Sequence, residues 1–172
     1  MLNCGAGINI SHFSEFHKFT NILCDNNLYG CINNGGNNMF CNCGFNDNAT
    51  GYLIDNSEGQ SPNNSHGTVT TCTFNHNGNN KGIGIQLLGA QHGYIFTGCQ
   101  VFYSKLVVEN STGIAFNSFN CGKNTEIIVK GGKLVTFSDC VFHSAPTVSI
   151  EENTCVKFAD CYTRDGEAVK VE

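Results

Sequence analysis

The chain has 172 residues, a net charge of −5 and only 13% charged residues against 40% hydrophobic ones. An acidic balance with a single arginine, Arg164, argues against a surface that tracks phosphates, and so against nucleic acid as a partner. No apolar run is long enough to span a membrane, and Met1-Leu2-Asn3-Cys4 has neither the basic nor the hydrophobic region of a signal peptide; the sequence predicts a soluble chain whose export signal, if it has one, lies elsewhere.

Phe137-Ser138-Asp139-Cys140-Val141-Phe142 recurs as Phe158-Ala159-Asp160-Cys161-Tyr162-Thr163. Taking the Cys as position zero, the same frame falls on Ile22, Cys43, Cys72, Cys99, Phe119, Cys140 and Cys161, in steps of 21, 29, 27, 20, 21 and 21 residues. Three residues earlier stand Phe19, Phe40, Val69, Phe96, Phe116, Phe137 and Phe158; two residues later come Cys24, Phe45, Phe74, Val101, Cys121, Phe142 and Thr163. Position minus one holds Asn21, Asn42, Thr71, Gly98, Ser118, Asp139 and Asp160, mostly residues that tolerate a left-handed backbone or bond their own turn. Each copy therefore reads strand, sharp corner, strand, and a third period-two pair follows it. Three short strands per turn with a period near 21 residues predict an all-β chain: a right-handed single-stranded parallel β-helix of about seven coils, a single domain over residues 1–172. An up-and-down barrel or sandwich predicts no fixed column of like residues.

In chain order, residues 1–16 supply Ile8 and Ile10, spaced as the third strand of a coil whose first two strands would precede Met1. The next third-strand pairs are Gly30/Ile32 and Tyr52/Ile54. The connection over residues 55–66 is then longer than the matching corner of the last three coils, and residues 75–82 form a second insertion on another corner. Loops on a rigid scaffold carry function, which makes His66, His76, Asp55, Glu58, Lys81 and His92 the candidate binding or reacting groups; the plain alternative is Asn/Gly-rich insertions tolerated on the surface. The pairs Ile83/Ile85, Leu106/Val108, Ile127/Val129, Val148/Ile150 and Val169/Val171 complete the series. No helix or polar loop covers either end, so the expectation is a segment of a longer β-helix or one whose ends are covered by neighbouring chains.

Eleven cysteines would suggest a disulfide scaffold, but the number is odd and five lie in the zero column, where a thiol serves as a small hydrophobe. Cys41-Asn42-Cys43 flanks a corner and has no second ligand pair, so no metal is expected and no cofactor either. Unpaired thiols favour a reducing history. An outward column of Asn33, Asp55, Gln86, Glu109, Lys130, Glu151 and Glu172 follows the third strands. Glu109 and Glu151, two rungs apart, are weak candidates for an acid and base pair, together with Asp55 and Glu58; charge compensation with Lys130 is the simpler reading. Asp139 and Asp160 stack as turn residues rather than as a cation site. Tyr29, Tyr103 and Tyr162 are candidate sugar platforms, while Tyr94 is expected to face inward. Four Asn-x-Ser/Thr sequons arise easily in an Asn-rich chain. Scattered threonines argue against an ice-binding face.

The frame Phe-x-[Asn/Asp/Ser/Gly]-Cys-x-Phe, clearest at 137–142 and looser at 96–101, resembles the right-handed parallel β-helix repeats of the pectate-lyase-like superfamily, which holds polysaccharide lyases, polygalacturonase-like hydrolases and trimeric bacteriophage tailspikes. The resemblance covers nearly the whole chain. The Asp-Asp, Gly-His-Gly and Arg-Ile-Lys motifs of the hydrolases are absent, and the only arginine is near the C-terminus, which does not suit a lyase. The resemblance therefore implies a non-catalytic structural or receptor-binding segment of a phage-like appendage, a virion homotrimer that binds cell-surface polysaccharide or partner appendage proteins. Assembly in a bacterial cytoplasm goes with that reading; a secreted polysaccharide depolymerase is the alternative.

Overall fold

The computed structural model describes residues 2–58, 66–151 and 154–169. The first coils comprise β1 (Ala6–Ile10), β2 (Lys18–Thr20), β3 (Tyr29–Asn33), β4 (Asn38–Cys41), β5 (Thr50–Asp55) and β6 (Gly67–Thr70). β7 (Ile83–Leu88), β8 (Tyr94–Thr97), β9 (Gln100–Val101), β10 (Lys105–Glu109), β11 (Thr112–Asn117) and β12 (Asn120–Cys121) follow. The last are β13 (Glu126–Lys130), β14 (Lys133–Ser138), β15 (Val141–Phe142), β16 (Thr147–Ile150), β17 (Val156–Ala159) and β18 (Tyr162–Thr163). They assemble into three parallel sheets: sheet I in the order β1-β3-β5-β7-β10-β13-β16, sheet II in the order β2-β4-β6-β8-β11-β14-β17, and sheet III in the order β9-β12-β15-β18. The chain is a solenoid of about seven turns, with one core running inside all three sheets.

The repeat frame appears in space as drawn from the sequence. Phe19, Phe40, Val69, Phe96, Phe116, Phe137 and Phe158 occupy one register position of sheet II. Their rings stack: 4.7 Å between Phe19 and Phe40, 5.1 Å between Phe96 and Phe116, 4.8 Å between Phe116 and Phe137. All seven residues at position minus one have φ between 49° and 64°. One left-handed residue between two extended segments turns the chain from sheet II to sheet III in a single step, and its N–H bonds the carbonyl of the next coil, as in Asp139 N to Ala159 O at 3.0 Å.

That corner aims the following backbone N–H inward, and the zero-column thiols answer it. The N–H of Cys43 donates to Cys72 Sγ at 3.3 Å and that of Cys72 to Cys99 Sγ at 3.4 Å. Each thiol in turn donates to carbonyls, Cys140 Sγ to Phe116 O and Ser138 O at 3.3 Å. A small hydrophobe that both gives and takes a weak hydrogen bond suits a buried polar row. All eleven cysteines are free; Cys4, Cys41 and Cys155 are exposed and the rest buried.

A second ladder lines the corner between sheets III and I. The N–H of Asn27 donates to Asn48 Oδ1, that of Asn48 to Asn77 Oδ1 and that of Asn77 to Ser104 Oγ, at 2.8 to 3.0 Å. Room for these side chains comes from Gly7, Gly30, Gly51 and Gly84: a Cβ on Gly30 would lie 2.5 Å from Gly51 O and 2.7 Å from Asn48 Nδ2. The bend moves the inward register. Two expected pairs are therefore corrected: Cys31 and Asn33 face in rather than Gly30 and Ile32, and Ile85 with Leu87 rather than Ile83 with Ile85. The outward column changes with them. Asn33 is wholly buried, Gln86 lies in the middle row beside Leu53 and Val107, and the observed edge column is Asp55, Leu88, Glu109, Lys130. Glu172 lies outside the described residues.

Buried Asn33 is satisfied by long-range partners. Its Nδ2 donates to Tyr52 OH at 2.7 Å and Tyr94 OH at 2.6 Å, and its Oδ1 accepts from Asn38 Nδ2 at 2.9 Å. Tyr94 faces in as expected, and Gly67 in the preceding coil leaves its hydroxyl room, since a Cβ there would sit 3.2 Å from it.

At the last coil Val169 does not take the third-strand position expected of it. The chain turns at Thr163–Gly166, Ala168 bridges antiparallel to Tyr162, and the Val169 N–H returns to Cys161 O at 2.8 Å. Val169 then packs on the core. The Asp165-Gly166 turn, with Gly166 at φ 85°, reverses the chain at this point. Val171 lies outside the described residues.

Candidate functional site

The six loop candidates do not converge. His66 and His92 meet at the corner between sheets I and II, their rings 6.4 Å apart and edge to face. They share an open groove of about 370 Å³ with Glu15 and Asn37. Successive coils supply these side chains at nearly one height of the corner: Glu15 bridges to Gly36, and the N–H of Asn37 donates to His66 O at 2.9 Å. Asn37 holds φ 54°, and its Nδ2 lies 3.4 Å from Glu15 Oε2. His66 Nδ1 is buried and makes no hydrogen bond. The groove thus offers one carboxylate, one amide and two imidazoles, a mixed set of donors and acceptors on an open surface.

His76 and Lys81 lie on a different corner, between sheets III and I. His76 stacks on Tyr103 at 4.9 Å, and its Nδ1 is 2.7 Å from Asn80 Oδ1. A hollow of about 300 Å³ beside it is lined by Lys81, Ser104, Lys105, Asn124 and Glu126 among others. Two of its charges pair with each other, Lys105 Nζ lying 3.0 Å from Glu126 Oε2.

The carboxylates proposed for chemistry are occupied elsewhere. Asp55 Oδ1 accepts from the N–H and Oγ of Ser57, a local turn. Glu109 sits 3.9 Å from Lys130 Nζ, as the compensation reading expects. Glu151 and Glu58 are exposed, and residues 59–65 of the longer insertion lie outside the described residues. Among the described residues no cluster of His, Cys, Asp or Glu has the arrangement of a metal site.

Glu15 and Asn37 were not legible as site residues. Neither belongs to the Phe–Cys frame, and their only signal is a separation of 22 residues, close to one coil.

No family model matches the chain, and no curated protein does. Among solved structures, a glycoside hydrolase superimposes over 94% of this chain with a TM-score of 0.55 at 9% identity. The chain spans 39% of that protein's length. A plasmid-mediated fluoroquinolone resistance protein aligns over 88% of this chain and 92% of its own, at 11% identity and a TM-score of 0.26, too low to bear on the fold. The likeness to the glycoside hydrolase shows a shared β-solenoid architecture and nothing finer.

Proposed function

We propose that this solenoid is a non-catalytic, glycan-contacting structural unit, and that the groove of Glu15, Asn37, His66 and His92 holds the sugar. The observation that carries the reading is that four consecutive coils place four hydrogen-bonding side chains in one open groove. Polar side chains held on a rigid repeat suit hydroxyl-rich ligands. The groove has a single carboxylate, whereas glycoside hydrolysis normally takes two flanking the bond, which supports binding over cleavage. The wider setting we propose is a phage-like appendage that recognises cell-surface polysaccharide or neighbouring appendage proteins, in which copies associate. Unpaired thiols throughout the core support assembly in a reducing cytoplasm.

Depolymerisation is the second reading, favoured by the fold shared with a glycoside hydrolase. One experiment separates them. The chain is titrated with a panel of capsular and pectic polysaccharides, and the products are assayed for new reducing or unsaturated ends. The binding reading expects saturable binding, weakened about fivefold or more by His92→Ala or Glu15→Gln, with no new ends. Release of oligosaccharides abolished by Glu15→Gln or Glu109→Gln would establish the depolymerase instead.

A further inference from the structure

The outer face of sheet I is built differently from an ordinary solvent-facing sheet. Its middle row, in register from coil to coil, is Asn9, Ile32, Leu53, Gln86, Val107, Ile128 and Ser149, apolar at Ile32, Leu53, Val107 and Ile128. These side chains stand low: Leu53 is 9% exposed and Val107 5%, with Ile32 and Ile128 half-buried. On one side of this row lie Thr50, Ile83, Lys105 and Glu126; on the other, Asp55, Leu88, Glu109 and Lys130. Charged groups thus flank a flat, largely apolar strip, with opposite signs at the two ends of two strands: Lys105 and Glu109 on β10, Glu126 and Lys130 on β13.

We propose that sheet I is the interface with a second copy of this chain, related by a two-fold axis parallel to the solenoid axis. That operator reverses the strand direction while keeping each coil level with its own copy. Lys105 then faces Glu109 of the second copy, Glu126 faces Lys130, Ile83 faces Leu88, and every residue of the middle row meets itself. All four charged contacts are of opposite sign, and no like charges meet. A two-fold along the strands also matches signs, between Lys105 and Glu126, but it sets Leu88 against Glu151 and leaves β3 and β5 with no facing strand. The parallel operator sets Ile32, Leu53, Val107 and Ile128 each against its own copy and Ile83 against Leu88.

The area suits a reversible pair. Strands of about five residues at roughly 3.3 Å per residue, seven of them about 4.8 Å apart, cover roughly 500 Å² per copy, near the lower end of specific interfaces. Face-to-face sheets approach to about 10 Å, which a low strip permits. The sugar groove lies at the corner between sheets I and II, and none of its four residues belongs to the facing rows.

The test is a site-directed cross-link with a mass measurement. In a background carrying Cys4→Ser, Cys41→Ser and Cys155→Ser, Gln86→Cys is treated with a short bismaleimide, and the wild-type chain is sedimented in parallel. Expected are a concentration-dependent particle of two chains and a Gln86→Cys cross-link to itself. Ile128→Lys sets two lysines against each other and yields monomer with an unchanged circular dichroism spectrum. A particle of three chains, a monomer at every concentration tried, or cross-linking of Gln86→Cys only to Ser149→Cys would overturn the proposal.

Discussion

At the scale of single residues, the corner from sheet II to sheet III sets a backbone demand that side chains meet unequally. Asn and Asp tolerate φ near 55° readily, whereas Thr71 holds φ 51° with a β-branched side chain. Strain of that kind is worth about 1 kcal/mol, so Thr71→Asn is expected to raise the melting temperature by about 2–4 °C. A lower melting temperature would mean that the hydroxyl's bond to Thr70 O outweighs the strain. The buried Asn33 gives a second case. Tyr94→Phe removes one of its two phenol partners in a fully enclosed site, at an expected cost of about 1–3 kcal/mol in denaturant unfolding. An unchanged midpoint would show that Tyr52 satisfies the amide unaided.

At the scale of strands and corners, the Phe–Cys frame was readable because its residues fill equivalent core positions, and the full register of sheet II follows from it. The sheet I register in the coils holding Gly30 and Gly84 was not. There the inward pair begins just after a strand glycine, with Cys31 after Gly30 and Ile85 after Gly84, and the bend at that glycine sets which residue faces in. Period-two spacing alone cannot detect a bend that the neighbouring coil's amide requires. Gly51→Ala tests this account, because its Cβ would lie 2.6 Å from Gly84 O and 2.8 Å from Phe45 O, both backbone. A loss of about 2 kcal/mol or more is expected, where an unobstructed Gly→Ala in a strand would gain about 0.5–1 kcal/mol. Loss of less than half that amount would mean the ladder has slack. The groove of Glu15, Asn37, His66 and His92 was half legible: His66 and His92 stood out as loop histidines, but nothing short of the fold places Glu15 beside them.

At the scale of the whole molecule, the interior is a continuous row of rings and thiols. Burial holds Cys31 and Cys121 well above the ordinary thiol range and pushes Cys140 up to about 12. A thiol with a raised folded pKa keeps its proton where the unfolded chain has lost it. Stability is therefore full below about 9.0, the ordinary thiol value, and falls as pH rises from there towards about 12. Denaturant midpoints measured across that range are expected to decline, and less steeply for Cys140→Ala. A flat profile would mean that the thiols ionise as easily folded as unfolded.

The stacked interior is tested most directly by counting reactive thiols by mass. Alkylation of the native chain under reducing conditions is expected to modify Cys4, Cys41 and Cys155 alone, and unfolding to expose all eleven. Rapid native labelling of Cys72, Cys99, Cys140 or Cys161 would contradict the fold and every position assigned from it.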